Sequence, residues 1–145
     1  MIRLLFLLLA LSTSAFADDA LIEPHAPVKL ERIVDGDTIL ASGRKIRLWG
    51  IDAPEMDESA GKVAKTFLGS ILNNGTELRC KFIEKDKYKR DVMHCTSDGL
   101  DIGSMMVQMG MAKDYSRYSG DYYQYEENLA KEKQRGIWKT YTDNR

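Results

Sequence analysis

The chain has 145 residues, 43% of them hydrophobic and 30% charged, and a net charge of −1. That length suits one domain with its own core, and the composition excludes a disordered chain in favour of a soluble, globular one. The near-zero charge does not by itself point to a nucleic-acid partner, although a local basic patch can act within a neutral total.

In chain order, the first element is a leader. Arg3 is followed by the apolar run "LLFLLLALS" and then by "AFA", whose Ala15 and Ala17 fit the small residues before a cleavage site. This predicts a signal peptide over 1–17, cut after Ala17. The run is shorter than the roughly 20 residues of a membrane span. No cysteine lies nearby for a lipid anchor. The protein is therefore expected to be periplasmic or secreted, with no membrane anchor after cleavage. Residues 18–27 carry two prolines and read as a flexible arm, and 141–145 as a C-terminal tail.

Short strands are predicted over about 28–34, 37–42 and 44–51, with "ASGRK" as the turn between the second and third. Over 58–73 the period changes. Ala60, Val63, Ala64, Phe67, Leu68, Ile71 and Leu72 recur at helical spacing, and Gly75 in "NNG" suits a left-handed cap. Strands follow over about 77–84 and 91–97. In the first of these Leu78, Cys80 and Phe82 alternate with Arg79 and Lys81. Ile102, Met105, Met106 and Met109 mark a second helix, whose methionines suit core filling. A third helix covers about 121–135, with Glu127 and Lys131 at i, i+4, and Gly110 and Gly136 punctuate the helix ends. The pattern is α+β, mainly β: a five-stranded Greek-key barrel of the OB type with three helices, spanning 28–140.

Cys80 and Cys95 flank the turn "EKDKYKR". A hairpin centred near Tyr88 brings them opposite each other, and in an exported protein the pair is expected to be a disulfide.

Four acids then demand a reason. "VDGDTI" holds Asp35 and Asp37, and "IRLWGIDAPE" holds Asp52 and Glu55. At i, i+2 on a strand the first two would lie side by side on one face, where like charges repel. A hard cation among the carboxylates offsets that repulsion, and all-oxygen donors suit calcium, magnesium or manganese. His25 and His94 are the only histidines, and neither is placed to build a zinc site. Arg47, with Lys87, Tyr88 and Arg90 of "KDKYKR", supplies phosphate-binding groups. Strict alternation puts Arg47 and Asp52 on opposite faces, unless Gly50 permits a bulge that resets the parity. A metal, a carboxylate base and two arginines form a phosphodiester-cleaving set.

Together "VDGDTI", "IRLWGIDAPE", "DKYKR", "MVQMGMA" and "EENLAKEKQRGIW" resemble the staphylococcal (micrococcal) nuclease, or thermonuclease, family, in the family's order and over residues 30–138. The resemblance implies an OB-fold nuclease that needs Ca2+, acts on DNA and RNA and leaves 3′-phosphate ends. It implies that Asp37, Asp52 and the backbone carbonyl of Ala53 bind the metal, with Asp35 and Thr38 supporting it. Glu55 matches the general base, Arg47 and Arg90 the catalytic arginines, and Lys87 and Tyr88 contacts to a neighbouring phosphate. A tyrosine near Tyr115 or Tyr118 is expected to stack on a base. Two features depart from the family pattern: Lys89 stands where glycine is common, and the loop after Glu55 is short. The alternative is a non-catalytic OB module that binds single strands, using Tyr115, Tyr118, Tyr122 and Tyr123. Either is expected as a monomer.

Overall fold

A computed structural model describes residues 26–73 and 76–139. The expected signal peptide, most of the arm, His25, Gly75 and the tail 141–145 lie outside these residues.

The barrel begins with β1 (Ala26–Ile33), two residues earlier than the sequence suggested, because Ala26 and Pro27 pair with Cys80 and Arg79. β2 (Thr38–Ala41) and β3 (Arg44–Leu48) form a hairpin. Its two-residue loop has Ser42 at φ 47° and Gly43 at φ 70°. Positive φ at both loop positions matches the right-handed twist of the flanking strands. β4 (Ile51–Asp52) is a two-residue strand, and α1 (Ser59–Ile71) follows. β5 (Glu77–Lys85) and β6 (Asp91–Ser97) make the second hairpin, and β7 (Leu100–Asp101) adds an edge. α2 (Ile102–Gln108), β8 (Lys113–Asp114), α3 (Ser116–Ser119) and α4 (Gln124–Glu132) complete the chain, followed by a single 3₁₀ turn at Gly136–Trp138.

Strands run in the order β3-β2-β1-β5-β6, and a parallel β3–β6 pairing closes the ring. This is the expected five-stranded OB-type barrel. Closure removes most of the unpaired edge that an open sheet would expose. Val28, Leu30, Ile39, Ile46, Leu48, Leu78 and Met93 point inward and are buried. α1 packs Ala64 and Leu68 into the core, joined by Leu72 just after its end. α2 packs Ile102, Met106 and Val107 into the same core. Of the methionines, Met106 is buried and Met105 and Met111 lie against the core, as filler, while Met109 is exposed.

Two details differ from the sequence pattern. Phe82 keeps the inward parity of Leu78 and Cys80 yet is half exposed, because residues 82–85 extend beyond the core. The expected helix over 121–135 is shorter, and a fourth helix, α3, precedes it. Gly120 at φ 62° and Asp121 at φ 64° break the helical path between them.

Cys80 lies directly across from Cys95 in the β5–β6 ladder, and their sulfurs are bonded. The bridge closes a 15-residue separation, for which chain entropy gives about 3 kcal/mol. The ladder already holds the two strands together, so Cys80→Ala/Cys95→Ala is expected to lose about 3 kcal/mol at most. Denaturant melts of the oxidised wild type and the double variant measure this directly. A mass two hydrogens above the bridged value for the unreduced, exported wild type would refute the bridge.

Candidate functional site

Residues 34–37 of "VDGDTI" form a turn, not a strand face, and Thr38 and Ile39 open β2. The N–H groups of Val34 and Asp35 both donate to the Thr38 carbonyl, at 2.9 and 3.2 Å. The Asp37 N–H donates to Asp35 Oδ1 at 3.1 Å. The expectation of two parallel carboxylates on a sheet is therefore corrected. Asp35 is spent on the turn's own backbone, as short acids commonly are. Asp37 is turned inward and is 8% exposed. Gly36 separates them because no other residue fits. A Cβ there would lie 2.7 Å from the Ala53 Cβ and 2.8 Å from the Ala64 Cβ.

The Asp37 carboxylate collects three partners. Its Oδ2 accepts the Ala53 N–H at 2.9 Å and lies 3.2 Å from Arg47 Nη2, and its Oδ1 accepts the Thr38 hydroxyl at 3.1 Å. Burial pushes its pKa up to about 6, against the pull of Arg47 and the Ala53 N–H. A carboxylate raised in this way gains from an added cation.

The parity problem of Arg47 and Asp52 is solved at Gly50. β3 ends at Leu48, and Gly50 takes φ 75°, a left-handed value that favours glycine. A Cβ at Gly50 would also sit 2.9 Å from the Tyr123 ring. The chain turns there and restarts as β4, so Arg47 Nη2 comes within 3.6 Å of Asp52 Oδ1. The break is a full turn, not the single-residue bulge expected. Arg47 Nη1 donates to the Leu48 carbonyl at 2.9 Å. One guanidinium thus stands between Asp37 and Asp52.

Two carboxylates converging on one cation, all with oxygen donors, fit a hard divalent ion. The expected cluster of four acids does not form. Among the described residues no three Asp, Glu, His or Cys side chains group tightly enough to hold a metal by themselves. Asp35 is held by its turn, and Glu55 lies on the loop before α1. That loop is fixed through its backbone. The Glu55 carbonyl accepts the Glu58 N–H at 3.0 Å, and Gly61 of α1 packs directly on it. His94 pairs with Asp101, at 2.8 Å, away from the acids.

Arg90 is positioned by Asp86, a residue the sequence reading did not single out. The Arg90 N–H and the Tyr88 N–H both donate to Asp86 Oδ1, at 2.9 Å each, and Arg90 Nε donates to Oδ2 at 2.7 Å. Slight burial raises the Asp86 pKa, but these bonds hold it below the ordinary carboxylate range. The signal was present: an aspartate opening "DKYKR" is a common turn former whose side chain caps the following N–H groups. Arg90 Nη1 also reaches Thr38 Oγ1 at 3.4 Å, so Thr38 links the acid turn to the arginine turn.

Lys89 carries the departure from glycine. Lys89 takes φ 63°. A non-glycine residue in this region is strained, so Lys89→Gly is expected to raise stability by about 0.5–1 kcal/mol. A thermal melt checks it; a lower Tm would mean that the Lys89 side chain contributes more than its backbone loses.

A cleft of about 440 Å³ collects most of the predicted substrate residues: Arg47, Lys87, Tyr88, Arg90, Tyr115 and Tyr118. Both tyrosines left open by the sequence line it, with their rings 4.8 Å apart. Asp52, Ala53 and Glu55 line a second cleft of about 690 Å³ with Lys113 and Trp138. Arg47 lines the first cleft and Asp52 the second, so their ion pair links the two linings. Tyr123 is not available for stacking. It is buried, and its hydroxyl donates to the Asp101 carboxylate at 3.1 Å. Trp49 lines the first cleft and was also missed. It sits inside "IRLWGIDAPE", but its aromatic type alone does not distinguish a core position from a cleft wall.

Comparison with known proteins bears on the fold and the family. Residues 45–140 match the model of the staphylococcal nuclease homologue family. The chain is 30% identical to the succinoglycan biosynthesis protein ExoI of Rhizobium meliloti, over 74% of this chain and 62% of that protein. It is 31% identical to an uncharacterized endonuclease of Escherichia coli O157:H7, over 76% of this chain and 75% of that one. It is 35% identical to an uncharacterized endonuclease of Haemophilus influenzae, over 76% of this chain and 65% of that one. The chain thus spans less than two thirds of the first and third of these relatives. The matched region runs from within β3 through α4 and carries Arg47, Asp52, Glu55 and Arg90, whereas β1, the acid turn and β2 precede it. With the closed barrel and the shared segment in agreement, this chain belongs to the staphylococcal nuclease homologue family.

Proposed function

We propose that this protein is an exported, Ca2+-dependent nuclease that hydrolyses phosphodiester bonds of DNA and RNA and leaves 3′-phosphate ends. The observation that carries the reading is the placement of Asp37 and Asp52 on one guanidinium beside a cleft lined by arginine, lysine and tyrosine. Family membership and the endonuclease names of two relatives support it.

In this reading Asp37, Asp52 and the Ala53 carbonyl hold calcium. When bound, the ion polarises the scissile phosphate. Glu55 takes a proton from the attacking water as the new P–O bond forms. The bond to the 5′-oxygen of the leaving nucleotide breaks, and that oxygen takes a proton from solvent water. Arg47 and Arg90 stabilise the charge that grows on the phosphate oxygens. Lys87 and Tyr88 contact the next phosphate, and Tyr115 and Tyr118 receive a base. The leader over 1–17 directs export to the periplasm or beyond.

Asp52→Ala gives the cleaner test of the metal. Its side chain is 57% exposed, so the substitution leaves folding nearly unchanged. Calcium affinity should fall by about 10–100-fold or more, and calorimetric titration reads it. Asp37→Ala should lose affinity as well, but with about 1–3 kcal/mol of stability, because it leaves the buried Ala53 N–H without its acceptor. Unchanged calcium binding in both variants would remove the metal assignment. Cleavage of DNA by the wild type, with calcium and then with chelator, tests the function itself. Tight binding without cutting under any divalent ion would instead favour the binding module.

A further inference from the structure

The first cleft does not end at Tyr115 and Tyr118. Trp49 forms part of its wall, and the Trp49 ring lies 5.4 Å from that of Tyr122 in an edge-to-face contact. Tyr122 lies outside the cleft and is 59% exposed. Its backbone is held firmly by its neighbour. Tyr123 is 1% exposed, packs 4.9 Å from the Tyr122 ring, and anchors its hydroxyl on Asp101. The turn at Gly50 lies close under this segment, where a Cβ would sit 2.9 Å from the Tyr123 ring and 3.2 Å from the Ser119 Cβ. His94 completes the support, with its ring 5.8 Å from Trp49 and 6.2 Å from Tyr122. An exposed aromatic on a mobile segment would lose entropy on binding a ligand. One on a locked segment loses little.

We propose that Tyr122, supported by Trp49, is a second stacking platform that takes a further nucleobase of a single strand, beyond the one held by Tyr115 and Tyr118. This rests on the reading of the first cleft as a nucleic-acid site, and adds to it a subsite one or more nucleotides away. The chemistry favours a base over a phosphate. Tyr122 is flanked by exposed Asp121, whereas the cations Arg47, Lys87 and Arg90 all lie in the cleft. The platform therefore contributes stacking, which is sequence-tolerant and nearly independent of salt, and the cleft contributes the salt-dependent attraction.

The test uses mature protein carrying Glu55→Gln, with calcium, and labelled oligothymidine read by fluorescence anisotropy. Tyr122→Ala should weaken binding of an octanucleotide about tenfold and leave a dinucleotide unchanged. The slope of affinity against salt should stay at its starting value. Lys87→Ala, by contrast, should lower the slope by about 1. Tyr122→Phe should restore wild-type binding, and Tyr122→Leu should not, because leucine keeps the apolar contact with Trp49 but lacks a flat ring. The Leu/Phe pair also decides the matter if the alanine variant folds poorly. Equal losses for both strand lengths, no loss at all, or rescue by leucine would each overturn the platform. A wild type that binds strands and never cuts them defeats the nuclease reading alone, since the length dependence is measured on binding.

Discussion

Glu55→Gln should cut DNA roughly 10²–10⁴-fold more slowly than the wild type, with binding of a short strand intact. The size of the effect is that of proton transfer by a positioned group. The substitution keeps volume and shape and removes only the proton acceptor. Glu55 is exposed, and its carboxylate makes no hydrogen bond or ion pair with any described residue. Its exchange should therefore leave the melting temperature unchanged. The calcium requirement should stay in the wild-type concentration range, because the proposed ligands are Asp37, Asp52 and the Ala53 carbonyl. Single-turnover cleavage, anisotropy and a thermal melt separate the three quantities. Wild-type cleavage by Glu55→Gln would take the base assignment away while leaving the metal pair standing.

Gly61→Ala should lower turnover by about 100-fold, the scale expected when a catalytic group is misplaced by about 1 Å. A Cβ at Gly61 would lie 1.9 Å from the Glu55 carbonyl oxygen and 2.8 Å from that of Pro54. These are backbone atoms with no flexible end to yield, so the loop must lift off α1. The same helix holds the acid turn, through Ala64 against Gly36. α1 thus sets the spacing between Asp37 and Glu55. A displaced loop should show as a fall in kcat with little change in KM. In a Glu55→Gln background the second substitution should add almost nothing, since both act through one group. Additive losses would mean that Gly61 matters to the fold rather than to the position of Glu55.

Much of this protein is legible along the chain. The period of two in β5, the period near four in α1, and the positive-φ turn at Ser42–Gly43 are local properties. Each follows from steric preferences within a few residues. The disulfide was legible for a related reason. A hairpin converts symmetric spacing about Tyr88 into a cross-strand pair, and Cys80 faces Cys95 in the ladder. Phe82 shows where this stops. Its parity is correct, but alternation does not reveal where a strand outruns the core.

The functional side chains divide in the same way. Sequence alone determined which chemistry is present: acids in two short segments, one arginine in the second of these and another in "DKYKR", and the turn formers between them. It could not determine which acids meet. Asp35 and Asp37 are neighbours in the chain, yet one caps a turn and the other is buried on Arg47. Asp52 joins Asp37 on Arg47 only because Gly50 turns the path after β3, with the Tyr123 ring in the space a Cβ there would need. Thr38 reaches Arg90 across 52 residues, through barrel closure. Gly36 and Gly61 are read in the chain as ordinary small residues, and their necessity appears only when another segment's atoms occupy the space a Cβ would need. Local sterics act over a few residues and leave their mark in sequence order, whereas excluded volume and charge act between whichever groups the closed barrel brings within a few ångströms.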